Sequence, residues 1–263
     1  MLKRTITGTI YVISVVAAIY LPPLACAIYF AVVAALGLWE FYSNLQKTTT
    51  ISPNFIGGFL VAVATYSMFL GRKYSAIALL SVALFYIVIA ELYRKKENPF
   101  TNIAYTVFGV MYIVVPLACT NLIRTQLEPI ILMSVFIFAW CNDTFAYLTG
   151  MKFGKHKLFE RISPKKTWEG FIGGFCFVVI AAIIIAQFTT ALPVFDLIVI
   201  AIITSVIGTY GDLIESMFKR QIGVKDSGNI LPGHGGILDR FDIMLLVLPA
   251  VTVYLMIIHS LHI

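Results

Sequence analysis

Nine apolar runs of membrane-spanning length dominate this chain. They cover about 5–21, 23–43, 54–71, 74–93, 101–122, 127–149, 170–191, 194–215 and 243–262. A helix needs roughly 20 apolar residues to cross the hydrocarbon core of a bilayer. In lipid, only helices and closed barrels satisfy their own backbone hydrogen bonds. With 60% hydrophobic and 12% charged residues among 263, no water-soluble domain of ordinary size fits beside the spans. The chain is therefore expected to be an all-α, polytopic integral membrane protein of about nine transmembrane helices. It reads as one membrane-embedded domain over 1–263, with N-terminal helices at 1–126 and a second half at 127–263 that carries the chemistry.

Pro22-Pro23 interrupts what would otherwise be a 39-residue apolar run, so a tight turn should join the first two helices. Lys3-Arg4 ahead of an apolar stretch imitates a secretory signal. The apolar character continues to about Trp39, however, too long for a cleaved segment, and a retained membrane hairpin is expected. Cys26, Cys119, Cys141 and Cys176 stand alone in apolar surroundings and read as small buried hydrophobes, with no disulfide or metal role.

Lysine and arginine counts set the orientation. With the N-terminus in the cytoplasm, sixteen of the 19 basic residues fall on the inner side and three, Arg72, Lys73 and Arg124, on the outer. This places the two most polar loops, 150–169 and 216–242, together on the cytosolic face, where nucleotides are. Nine of the thirteen acids lie at or after Asp143. Glu40 and Glu91 are exceptions near the inner ends of the second and fourth helices; the reading preferred for them is an interfacial, snorkelled carboxylate, the alternative being that they support the site or line a polar cleft.

The segment Ser216–Asp242 packs Lys219, Arg220, Lys225, Asp226, His234, Asp239, Arg240 and Asp242 into 27 residues. Pro232-Gly233-His234-Gly235-Gly236 at its centre disfavours helix. Glycines there allow close backbone approach to a ligand, and successive amides can form an anion nest. The cations suit phosphate, and paired carboxylates suit a hard metal ion. Asp212, Glu215, Ser216 and Lys219 are offset by three, four and seven, one face at the inner end of the eighth helix. Asp239 and Asp242, three apart, should share a face at the start of the ninth. Asp143, in Asn142-Asp143-Thr144, either adds an oxygen ligand to the same cleft or hydrogen-bonds a neighbouring helix.

In Ser163-Pro164-Lys165-Lys166-Thr167-Trp168-Glu169-Gly170, Ser163 and Pro164 read as N-cap and first helical residue. Lysines at the positive end of a helix are unfavourable unless an anion joins them, which argues for phosphate binding. Trp168 reads as an interfacial anchor.

The pattern S-x-F-K-R, four residues, K-D-S-G, two residues, L-P-G-H-G-G-I-L-D-R-F-D, over 216–242, resembles the signature of phosphatidate cytidylyltransferases, also called CDP-diacylglycerol synthases. About a dozen positions at fixed spacing make this far more specific than a lone glycine-rich loop. The S-P-K-K-T-x-E-G string at 163–170 is similar to one in the same family. The resemblance implies CTP plus phosphatidate giving CDP-diacylglycerol and pyrophosphate, in phospholipid biosynthesis. It implies Mg²⁺ as one or two divalent ions, with a monovalent ion as an alternative companion. Asp212 and Asp239, with Asp143 and Asp242, would hold metal. Lys219, Arg220, Lys225, Asp226, His234 and Arg240 form the catalytic group, His234 by positioning or phosphate contact. Ser163, Lys165, Lys166, Thr167, Ser216, Gly235 and Gly236 would bind substrate.

Expected partners are those two substrates and the bilayer, with a homodimer as the candidate assembly and no nucleic acid. The expected location is a bacterial cytoplasmic (inner) membrane, with the site facing the cytoplasm. Two other classes share the outline, a CTP-dependent polyprenol or phytol-type lipid kinase and a multi-helix transporter. Transporter sites lie near the midplane, unlike a glycine-histidine-glycine loop outside the bilayer core.

Overall fold

Residues 2–228, 230 and 235–259 are described by the computed structural model, and all but a short β-hairpin of the regular structure is helical. Seven helices among them are long and apolar enough to cross a membrane: Pro23–Thr48, Lys73–Tyr93, Pro99–Gln126, Pro129–Phe153, Trp168–Ile185, Val194–Gln221 and Leu238–Ile258. Two shorter apolar helices, Thr5–Tyr20 and Phe55–Phe69, occupy the first and third of the expected runs. The chain divides into two compact units, Met1–Leu122 with Gln221–Phe241, and Ile123–Arg220 with Asp242–Leu261. The segment after Gln221, grouped above with the C-terminal half, thus clusters with the N-terminal helices.

In the first unit, α1 (Leu2–Tyr20) and α2 (Pro23–Thr48) are separated by the predicted proline turn. Pro23 opens α2 at a position where its missing N–H would have had no partner in any case. The buried residues Phe30, Val33, Ala34, Gly37, Leu38, Phe41 and Leu45 recur every three or four positions along α2, one apolar stripe turned inward. Helices α3 (Phe55–Phe69) and α4 (Lys73–Tyr93) follow. Asn54 caps α3 by accepting from the Gly57 amide at 2.9 Å.

Next come α5 (Pro99–Gly109), a π-helical turn at Val110–Val114, and α6 (Val115–Gln126). The turn falls just before Pro116, whose ring would strike the carbonyl four residues back in a regular helix; widening the turn relieves that clash. Glu91 is buried rather than snorkelled. Arg94 pairs with it at 2.7 Å and Asn102 donates to it at 2.7 Å, so the acid is fully compensated inside the unit. Cys26 and Cys119 are buried as expected, whereas Cys141 is half-buried and Cys176 exposed.

In the second unit, α7 (Pro129–Phe153) packs against α8 (Trp168–Ile185) across small residues. A Cβ at Gly174 would press on the Asn142 carbonyl, and one at Gly170 on that of Ala146, so the two backbones lie almost in contact. Strands β1 (Lys157–Phe159) and β2 (Ser163–Thr167) form an antiparallel hairpin between these helices, with Lys157 opposite Thr167 and Phe159 opposite Ser163. The long α9 (Val194–Gln221) is tied to α7 by a hydrogen bond from Ser205 Oγ to Asn142 Oδ1 at 2.7 Å. The one-turn α10 (Leu238–Phe241) belongs to the first unit, and α11 (Met244–His259) to the second.

Candidate active site

The acid-bearing face at the C-terminal end of α9 forms as its spacing predicts. Ser216 Oγ donates to Asp212 Oδ1 at 3.3 Å, one turn apart, and Lys219 Nζ lies 2.5 Å from Glu215 Oε2. Glu215 is buried, so without Lys219 its charge would be strongly unfavourable there. The second oxygen of Asp212 is held by Lys166, with Nζ 2.5 Å from Oδ2.

Lys166 arrives by a route that corrects the sequence reading. Ser163 and Pro164 do not open a helix; Ser163–Thr167 is strand β2, and α8 begins at Trp168 with Thr167 as its N-cap. Thr167 Oγ1 accepts from the Gly170 amide at 3.2 Å. A threonine three residues before a glycine amide competes better for the cap than Ser163, because β1 already claims the residues from 163 onward as its ladder partner. In a strand, alternate side chains point to opposite faces. Lys165 is therefore exposed while Lys166 is half-buried and turned to Asp212. The argument from lysines at a helix N-terminus no longer applies. Trp168 is half exposed, consistent with an anchor.

Asp242 also departs from expectation. It sits with Ile243 in the turn after α10, its Oδ1 accepting from the Ile243 amide at 2.8 Å, so it and Asp239 do not share one helix face. A four-residue α10 ends too soon to carry both. Asp242 nonetheless lies within electrostatic reach of Asp212, Asp143 and Glu215. This gathers four carboxylates and two lysines in the second unit, leaving more negative than positive charge. That donor set fits a hard divalent cation bound through carboxylate oxygens. As the side chains stand, Lys166 and Lys219 hold two of the acids, and no three described His, Cys, Asp or Glu residues converge on a metal position. Arg220 lies in the last turn of α9 and is exposed.

The first unit holds the other predicted residues. Asp239 Oδ2 accepts from the Ser227 amide at 2.8 Å and from the Gly236 amide at 2.8 Å, and lies 2.9 Å from Ser227 Oγ. The Gly236 amide, read above as part of an anion nest, is thus committed to a carboxylate of the protein. Gly235 adopts φ +81, a conformation that suits glycine, and a Cβ there would strike Asp239. Arg240 lies on α10, its backbone carbonyl accepting from Tyr11 Oη at 3.1 Å and its Nε buried without a hydrogen-bond partner among the described residues. Lys225 and Asp226 are exposed and line a cavity of ≈ 550 Å³ with Trp39, Glu40, Ser43, Asn44, Lys47 and Ser227. His234, with Gly233, lies outside the described residues.

Two residues in this cavity were given a lesser part by the sequence reading. Lys47 was only a topology charge, yet it lines the wall with Lys225. For Glu40 the alternative of lining a polar cleft holds, and not the snorkelled reading: it is 3% exposed and accepts from Ser227 Oγ at 3.0 Å and the Leu238 amide at 2.9 Å. No local signal could have found it, since its partners lie 187 and 198 positions away.

Comparison with known proteins gives the family. The chain is similar to the phosphatidate cytidylyltransferase of Staphylococcus aureus strain COL, 36% identical over 256 residues, covering 96% of this chain and 98% of that one. It is 41% identical over 182 residues to the Staphylococcus haemolyticus protein of the same name, covering 69% and 68% of the two chains. The Staphylococcus saprophyticus protein of that name is 40% identical over 183 residues, 69% of this chain and 68% of the other. The sequence profile of the cytidylyltransferase family matches residues 2–258, and the chain belongs to that family.

Proposed function

We propose that this protein is a membrane-embedded phosphatidate cytidylyltransferase, joining CTP and phosphatidate into CDP-diacylglycerol and releasing pyrophosphate. Family membership and the relatives' names support the activity. The observation that carries the chemistry is the group formed by Asp143, Asp212, Glu215 and Asp242 with Lys166 and Lys219. The same reading takes all nine apolar helices as crossings of a bacterial cytoplasmic membrane, with the N-terminus and the polar loops in the cytoplasm. The excess of basic residues on that side supports it.

A phosphate monoester loses its second proton near pH 6, so the lipid phosphate arrives as an ionised nucleophile and needs no protein base. One of its oxygens attacks the α-phosphorus of CTP. A new P–O bond forms, the bond from the α-phosphorus to the bridging oxygen of the β-phosphate breaks, and pyrophosphate leaves with that electron pair. The obstacle is charge. Each pair of unit negative charges about 4 Å apart repels by roughly 4 kcal/mol at an effective dielectric near 20. Lys166, Lys219 and Arg220 in the second unit would supply fixed positive charge toward the phosphates and the leaving group, and Lys225 and Arg240 are the cations the first unit offers. In the second unit, Asp212, Asp143 and Asp242 are the residues that would hold Mg²⁺, which when bound would screen the phosphates and polarise the α-phosphoryl group. Asp239 belongs to the first unit, where Ser227 and Gly236 occupy its Oδ2. Acyl chains remain in the bilayer.

Label position tests this directly. With phosphatidate vesicles, ³²P from the α-phosphate of CTP should enter lipid and ³²P from the γ-phosphate should leave as pyrophosphate. γ-Label entering lipid would instead indicate a kinase and overturn the assignment.

A further inference from the structure

The strongest unexplained feature outside the acid cluster of the second unit is the buried carboxylate of Glu40. A carboxylate held 3% exposed is costly unless its oxygens find donors. Its Oε2 draws them from two separate arms of one segment, the Ser227 hydroxyl at 3.0 Å and the Leu238 amide at 2.9 Å. Oε1 has no hydrogen-bond partner among the described residues and is wedged against backbone, because a Cβ at either Gly228 or Gly236 would collide with it. The two glycines, one in each arm, are thus the complement of a single side chain far away on α2. One turn further along α2, Asn44 Nδ2 donates to the Ser227 carbonyl at 2.5 Å, so the helix grips Ser227 at both hydroxyl and backbone. The same hydroxyl lies 2.9 Å from Asp239 Oδ2, which completes a connected line from Glu40 through Ser227 to Asp239.

We infer that Glu40 is a positioning residue for cytidylyl transfer: with Asn44 it clamps the arms Lys225–Gly228 and Gly235–Asp239 to α2. The clamp fixes where Lys225, Asp226 and Asp239 stand, while Glu40 itself touches no reacting atom. This rests on the cytidylyltransferase reading above. Apolar packing could fill the space as well, but only an acceptor gathers a hydroxyl from one arm and an amide from the other. The orphaned Oε1 is the penalty accepted for that geometry.

The test compares full-length wild type, Glu40→Ala, Glu40→Gln and Ser227→Ala in detergent–phosphatidate micelles, measuring kcat and KM for α-labelled CTP together with thermal unfolding. Glutamine keeps an acceptor oxygen for both donors, so Glu40→Gln should retain kcat within about threefold. Glu40→Ala and Ser227→Ala should each lose about tenfold or more in kcat, with unfolding temperature nearly unchanged and KM moving less than kcat. A wild-type kcat in Glu40→Ala overturns the inference, as does loss of activity in both Glu40 variants in step with lost stability. Should Glu40→Ala fail to fold, Ser227→Ala decides alone, and wild-type kcat there also overturns it. A wild type that transfers no label would refute the proposed activity and this clamp with it; an active wild type beside an indifferent Glu40→Ala refutes only the clamp.

Discussion

Lys166 Nζ stands 2.5 Å from Asp212 Oδ2, a lysine on a β-strand paired with an acid on the α9 helix. Both side chains are about a quarter exposed, so solvent screens the pair and its value to stability is modest. On the proposed function its consequence is catalytic, since it would keep an ammonium beside an acid that would hold the metal. Lys166→Met should therefore lower kcat by about 10²-fold or more, the scale for removing one preorganised charge from a reacting centre. Lys166→Arg should retain a measurable part of the rate, and steady-state kinetics with α-labelled CTP reads both.

The acid cluster predicts a metal requirement. Chelation by EDTA should stop turnover and Mg²⁺ should restore it. Asp212→Asn should shift the Mg²⁺ activation curve to higher concentration or abolish activity, since it removes a charged oxygen donor. Full activity of Asp212→Asn at wild-type Mg²⁺ would remove the metal assignment.

Acid should slow the enzyme through its substrate. Below about pH 6 the lipid phosphate binds its second proton and loses nucleophilicity. The rate should then fall roughly tenfold per pH unit below that point and flatten above it. A pH–rate profile at saturating CTP checks this sign.

Thr167 should matter to stability before it matters to catalysis. It caps α8 at the Gly170 amide, and Thr167→Ala should cost about 1 kcal/mol. In a protein of this size that shifts the unfolding temperature by about 2–4 °C. Thr167→Ser, which keeps the acceptor, should be nearly silent in the same thermal scan.

Gly235 combines a left-handed backbone with a close neighbour. At φ +81 an alanine is strained by about 1–3 kcal/mol, and its methyl would also displace the Asp239 carboxylate. Gly235→Ala should therefore lose activity well beyond its effect on thermal stability, measured side by side in detergent.

The sequence by itself determined the class of fold and the family. Runs of apolar residues leave no option but helices, because the backbone of a lipid-embedded segment has only itself to bond to. Spacings of three and four placed Asp212, Glu215, Ser216 and Lys219 on one face of α9, because helical geometry is local. The motif over 216–242 pointed to the family for the same reason, its information being contained in one short stretch.

Tertiary structure alone decided what depends on partners distant in the chain. Whether Ser163 caps a helix or joins a strand turned on the ladder offered by Lys157–Phe159, which Ser163 cannot reveal on its own. Asp239 and Asp242 parted because α10 stops at Phe241, before a second turn could align them. Glu40 looked like an acid at a membrane edge until Ser227 and Leu238 were folded against it. A charge is tolerated at depth only by donors brought to it, and no sequence pattern records which remote hydroxyl or amide will arrive.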